Sequence, residues 1–142
     1  MYWDSSAIVP LVLEEPRSGA CRAILRRDRR MVTWALTALE VLSALSRRVR
    51  EAALEAADLR RARLRLERYS EQWTEVDALG PVREHAERLL LVHSLRAGDA
   101  LQLAAALVAA DLRPRRLPFV ALDDGLLAAA EKEGFESVRP GE

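Results

Sequence analysis

The 142-residue chain sets 22 Lys and Arg against 22 Asp and Glu, with half of its residues hydrophobic and 31% charged. This composition excludes a disordered or fibrous chain and fits an ordinary soluble protein, long enough for one real core and too short for two, so a single domain over residues 1–142 is expected. A lone cysteine, Cys21, excludes a disulfide framework, and no apolar run reaches the roughly 18 residues that a membrane helix needs, which makes a cytoplasmic protein the expectation.

Met1 to Val9 opens with a very short apolar strand that ends in Asp4-Ser5-Ser6. A short apolar helix, Ser5 to Leu13, follows and stops at Glu14-Glu15-Pro16. Arg17 to Arg30 reads as a second helix, with Arg26, Arg27, Arg29 and Arg30 favourable at its C-terminus. Met31 to Thr33 is a candidate strand feeding a long helix, Trp34 to Arg50, whose first three turns carry one charge, Glu40. From Glu51 to Trp73 the helical period is plain in Leu59, Ala62, Leu66, Tyr69 and Trp73, with five arginines on the other faces. Glu75 to Asp77 is a short strand, Pro81 to about Leu95 a helix with proline at its first position, and Asp99 to Leu112 a helix apolar enough to be covered all round. After the basic loop Arg113 to Pro118 come the strand Phe119 to Leu122, a helix from Asp123 to Gly134 and an edge strand, Phe135 to Val138. Short strands alternating with helices define an α/β class with a mainly parallel sheet.

Four acids stand out by position. Asp4 and Asp123 directly follow apolar strands, where open α/β sheets place their sites, and Asp99 follows a glycine turn. Each has an equally good explanation as a helix N-cap, and Asp124 fits a helix dipole at the first turn. Glu40 has no capping role. A helical projection puts Ala38, Leu42, Leu45 and Val49 on the apolar stripe and Glu40 away from it, where Arg47 would be a partner on a solvated face. Against that, an isolated acid in an uncharged segment is costly unless something positive meets it. Four carboxylates brought together repel one another and call for cations; oxygen-only ligation selects Mg²⁺ or Mn²⁺ over zinc, and such sites hydrolyse phosphodiesters. Sequestering these acids would leave the rest of this neutral chain net positive.

Other chemistries lack support. His85 and His93 are about 12 Å apart along one helix, too far to share an ion. Cys21 has no His–carboxylate partners in its vicinity, no glycine-rich phosphate loop is present, and Ser5 and Ser6 lack a nucleophile elbow and read as caps or ligand supports. Trp3, Trp34 and Trp73 read as core or interface residues.

The opening strand ending Asp4-Ser5-Ser6, Thr37-x-x-Glu40-Val41 in a helix, Arg96-Ala-Gly-Asp99-Ala-Leu before a buried helix, and Phe119-Val-Ala-Leu-Asp123-x-x-Leu126 resemble the PIN-domain family. Length and element order are similar to its VapC-type toxins of toxin–antitoxin pairs. The resemblance implies a three-layer α/β/α domain with a five-stranded sheet, and a Mg²⁺- or Mn²⁺-dependent endoribonuclease that hydrolyses RNA with metal-activated water. It assigns Asp4, Glu40, Asp99 and Asp123 as the catalytic and metal-binding acids, prefers Asp123 to Asp124 because of Leu126, and gives Ser6 a supporting role. It departs from the family pattern at Ala121, where threonine or serine is usual, and at Gln102, where histidine is frequent. It also implies a homodimer and a VapB-like antitoxin, with the arginine-rich helix Leu54 to Trp73 and its neighbour Trp34 to Arg50 as the clamp for that partner; periodicity alone describes the same helix as a solvated packing element. Arg26 to Arg30, Arg47 to Arg50 and Arg113 to Arg116 are candidate RNA phosphate contacts. The rival expectation is a non-catalytic PIN-like scaffold that binds RNA or protein and uses its acids as caps.

Overall fold

The computed structural model describes residues 1–142. Its elements run β1 (Tyr2–Trp3), α1 (Ser5–Val12), α2 (Ser18–Arg27), β2 (Val32–Trp34), α3 (Thr37–Arg50), α4 (Ala56–Ser70), β3 (Thr74–Val76), α5 (Leu79–Val92), α6 (Ala97–Ala109), a 3₁₀ turn at Pro114–Arg116, β4 (Phe119–Val120), α7 (Asp124–Lys132) and β5 (Ser137–Val138). The five strands form one sheet in the order β3-β2-β1-β4-β5, and every pairing is parallel. The expected α/β class with a parallel sheet is what the chain adopts.

Strands of two or three residues can hold a sheet because both of its faces are covered, as parallel sheets require. Alternation along β1 and β4 divides the core in two. Tyr2 and Phe119 point to one face, where they stack at 5.3 Å and pack with α5, α6 and α7. Trp3 and Val120 point to the other and pack with α1 to α4. Both pairs are fully buried. The result is three layers, helices on each side of one sheet.

The chain leaves β1 toward β2 and β3 on one side and returns to β4 and β5 on the other. The carboxyl ends of β1 and β4 therefore flank the place where strand order reverses, the position at which open parallel sheets form a crevice.

Several element bounds differ from the expectation, each for a local reason. Residue 34 belongs to β2, and α3 starts at Thr37, whose hydroxyl accepts the Trp34 N–H at 3.1 Å. Asp28 ends α2, so Arg29 and Arg30 lie beyond the helix; its carboxylate is taken by the amino group of Met1 at 3.1 Å. Residues 51–55 break the long helical run, with Ala52 in the left-handed region, and Trp73 falls outside α4. Pro81 is the third residue of α5, where its missing N–H is equally harmless. α6 begins at Ala97, two residues before Asp99. At the end of α7, Gly134 has φ +93° and lies against Pro114, which a side chain would crowd at 3.2 Å.

Candidate active site

Asp4 is 3% exposed and caps α1: Oδ2 accepts the Ser6 N–H at 2.9 Å and the Ser6 hydroxyl at 2.5 Å. The same Ser6 oxygen accepts the Leu122 N–H at 2.9 Å. One serine thus ties the end of β1 to the segment after β4, which sets Asp4 and Asp123 on either side of the crevice. Asp123 is the exposed N-cap of α7, and its Oδ1 accepts the Leu126 N–H at 2.8 Å. Neither Asp4 Oδ1 nor Asp123 Oδ2 takes a hydrogen bond from the protein.

Asp99 lies in the first turn of α6, whose N-cap position is held by Arg96, so the capping role expected of it is not the one it fills. Glu40 is half-buried and makes no ion pair with Arg47. The fully buried line of α3 is Thr37, Val41 and Leu45; of the anticipated stripe Leu45 lies on it, while Ala38, Leu42 and Val49 are half-buried, and this rotation carries Glu40 to the edge of the packed face. Its Oε2 accepts from Gln102 Nε2 at 2.7 Å, and a β-carbon at Gly98 would stand 3.9 Å from its Oε1, so the carboxylate lies against the start of α6.

Three of the acids, Asp4, Glu40 and Asp99, are raised, first by burial and then by acidic neighbours. Burial raises the Asp4 carboxyl to about 6 against its hydrogen bonds from Ser6, and the charges of Glu40 and Asp99 push it the same way. Burial raises Glu40 as well, opposed by hydrogen bonds from Gln102 and Ser5 and reinforced by Asp99. Asp99 is raised by burial and then by Asp123, with Arg96 pulling it down. Arg96, exposed and without a carboxylate hydrogen bond, is the one cation that acts on the group. Helix N-termini offset part of the remaining charge, since Asp4, Asp99 and Asp123 all stand at or within a first turn.

This is a donor set of oxygens only, with excess negative charge and an oxygen left unengaged on Asp4, Glu40 and Asp123 alike, and its chemistry fits a hard divalent cation. As the side chains stand, no three His, Cys, Asp or Glu groups converge closely enough to hold a metal ion. Asp124 lies outside the group: its carboxylate is engaged by Arg139 beside β5.

Sequence reasoning noted Gln102 only as a departure from the family pattern and gave it no part in holding Glu40. Gln102 is 1% exposed within α6, and its Oε1 accepts the hydroxyl of the fully buried Tyr2 at 2.7 Å. The available signal was the sole amide in the run Leu101 to Ala110, since a polar group inside a covered helix must find partners. The residues set aside behave as anticipated. The Cys21 thiol is fully buried and pushed up to about 11, His93 pairs with Glu133 at 2.7 Å, and the three tryptophans are buried. Ala62 and Leu66 pack α4 against α1 and α3 while its arginines stay exposed, and Arg48 of α3 pairs with Glu15.

The fold is thus a parallel α/β sheet with Asp4 and Asp123 just beyond the two strands at its switch point. The family model of the PIN domain matches residues 1–132, and the chain belongs to the PIN-domain family. Among curated proteins it is similar to ribonuclease VapC45 of Mycobacterium tuberculosis (strain CDC 1551 / Oshkosh) and ribonuclease VapC49 of Mycobacterium tuberculosis (strain ATCC 25618 / H37Rv). Each is 31% identical over 111 residues, which cover 78% of this chain and 77% of the relative.

Proposed function

We propose that the protein is a divalent-metal-dependent endoribonuclease in which Asp4, Glu40, Asp99 and Asp123 bind Mg²⁺ or Mn²⁺. The observation that carries this reading is that Asp4, Glu40 and Asp99, drawn from three separate segments, are raised by burial and by neighbouring acids, with Arg96 beside Asp99 as the one cation acting on those three. An arrangement that raises its own carboxyl groups is costly to the folded protein unless a cation offsets it. The similarity to two ribonucleases supplies the substrate class. When bound, such ions supply Lewis-acid polarisation of a phosphodiester and activation of water for in-line displacement. The chain's own part is to hold the carboxylates: Ser6 fixes Asp4 across the crevice, the α7 N-terminus fixes Asp123, and Gln102 fixes Glu40. Arg96 at the rim is placed to attract a phosphate toward the acids.

The scaffold reading draws support from one fact, the capping bonds of Asp4 and Asp123. It leaves Glu40 and Asp99 without a purpose. Cleavage of a mixed pool of structured RNAs in Mg²⁺ or Mn²⁺, and then in EDTA, separates the two. Loss of metal-dependent cleavage in Asp99→Asn with the fold intact supports the nuclease. Absence of both cleavage and divalent binding in the folded wild type establishes the scaffold.

We extend the reading to the toxin of a toxin–antitoxin pair acting as a homodimer, on the strength of the similarity to the two VapC ribonucleases. The surfaces available for such partners are the exposed Leu90, Leu91 and Val92 at the end of α5 and the arginine face of α4. Light scattering of the purified chain tests the dimer, and a monomer at working concentration removes it. No helix is long and apolar enough to cross a membrane.

A further inference from the structure

We propose that Gln102 is the positioning residue of the acid cluster: its amide fixes Oε2 of Glu40 and thereby leaves Oε1 as the oxygen offered to a cation. The inference rests on the reading of the four acids as a cation-binding set and adds a residue to it.

Gln102 lies one helical turn after Asp99 on α6 and reaches across to α3 and β1. Its Nε2 donates to Glu40 Oε2 at 2.7 Å and to Thr37 Oγ1 at 3.1 Å, while its Oε1 accepts the Tyr2 hydroxyl at 2.7 Å. Only one orientation of the amide satisfies this network, because the reverse would press a carbonyl oxygen against a carboxylate. Tyr2 enforces it. Its fully buried hydroxyl donates to the amide oxygen and so fixes which end of the amide faces β1. Thr37 is fixed in turn by the Trp34 N–H at 3.1 Å. The amide is therefore held from β1 and α3 before it touches Glu40.

The choice of a neutral donor has a chemical consequence. An arginine here would neutralise Glu40 and compete with a metal ion for it. An amide orients the carboxylate and leaves its full negative charge available. The oxygen the amide holds is Oε2, with the Ser5 hydroxyl also acting on the carboxylate; Oε1 is turned toward Gly98 at the start of α6, beside Asp99. Without the amide, the glutamate side chain regains its rotamers and must be ordered again each time a cation binds.

The test is calorimetric titration of Mn²⁺ into the RNA-free protein, for wild type, Gln102→Met, Gln102→His and Glu40→Gln, with circular dichroism confirming each fold. Gln102→Met keeps length and packing but loses the donor, and is expected to weaken Mn²⁺ binding by about 10- to 100-fold. Gln102→His restores one N–H and is expected to recover most of that loss, which a role in packing alone would not do. If the methionine variant binds Mn²⁺ like the wild type while Glu40→Gln is impaired, or if histidine recovers nothing, the positioning role is overturned and the acid site stands. If Glu40→Gln binds like the wild type, or the wild type binds no Mn²⁺, the reading of the site itself falls and the positioning role falls with it. Should Gln102→Met not fold, Tyr2→Phe and Thr37→Val remove only the groups that orient the amide. Several-fold weaker binding in either supports the proposal, and wild-type binding in both overturns it.

Discussion

Glu40 and Glu133 carry the same side chain, are both shielded from water, and have carboxyl groups that move in opposite directions. Glu133, at the end of α7, takes two hydrogen bonds from Arg88 at 2.6 and 3.2 Å and one contact from His93 at 2.7 Å, which hold it below the ordinary carboxylate range. Glu40 is met by neutral donors, and burial with the neighbouring Asp99 raises it. The contrast extends to their regions. Away from the crevice the perturbed acids meet donors and cations of the chain: Glu14 meets Arg22, and Asp28 meets first the backbone N–H of Arg30 and then the amino terminus and the Arg30 side chain. At the carboxyl ends of β1 and β4 they are not. Where the chain supplies its own countercharge, an acid is part of the structure; where it withholds one, the proposed site would take its countercharge from outside.

The largest effect expected is on activity. Asp99→Asn removes a charge from the unmatched group, and its metal-dependent RNA cleavage should fall on the order of 10²- to 10³-fold, as for loss of a principal electrostatic group in an active site. Cleavage rates across a Mn²⁺ series measure this. Wild-type rates in the variant at every concentration would place Asp99 with the structural acids.

The second effect concerns pH and runs against the usual direction. Asp4 in the folded chain titrates at about 6, against 3.8 for the ordinary group. A carboxyl raised on folding favours the folded state below its unfolded value, and that contribution disappears as pH rises through the folded value. In the metal-free protein this group therefore withdraws about 3 kcal/mol between roughly pH 4 and 6. Asp4→Asn is neutral throughout, so at pH 7 without metal it should melt above the wild type, and the difference should vanish near pH 4. Thermal melts in EDTA at several pH values decide this. A variant that melts below the wild type at pH 7 would show that the carboxylate stabilises the fold.

The matched acids supply the opposite case. Glu133→Gln breaks a partly screened ion pair that joins the ends of α5 and α7 and should cost about 1–2 kcal/mol. Divalent binding should not change. Because the folded Glu133 carboxyl is depressed, the stability it contributes is present at neutral pH and is lost on acidification below the ordinary carboxylate range, the reverse of Asp4. Chemical denaturation at pH 7, paired with Mn²⁺ titration, checks both halves. The smallest effect belongs to Glu14, whose pair with Arg22 lies in solvent. Glu14→Gln should leave the melting temperature unchanged within error, and a clear drop would mean that exposed pairs in this fold matter more than burial suggests.

The class of fold was legible because it depends on local signals: short apolar runs ending in Asp, helical periods between them, and Gly134 where a helix must turn in the left-handed region. Two of the four acids were readable by the same logic, since Asp4 and Asp123 follow strands directly. The environment of Glu40 was not. Projection of α3 as an isolated helix put the glutamate away from the apolar stripe, with Arg47 as a partner on a solvated face, because the stripe through Ala38, Leu42, Leu45 and Val49 is the more apolar, whereas the deeply buried line runs through Thr37, Val41 and Leu45. Contact with α1 and α4 selects between them, and no window of one helix contains that information.

Sequence alone determined the order of strands and helices, the family resemblance, and the positions at which acids end strands, because these follow from hydrophobic period and capping chemistry within a few residues. Tertiary structure decided which acids act on one another, that Asp124 turns to Arg139 instead, and that Gln102 holds Glu40 from 62 positions away along the chain. The physical reason is that a buried hydrogen bond or an unmatched charge is a relation between segments. Its energy exists only after the sheet has brought β1, β2 and β4 side by side and set the helices that follow them around one opening.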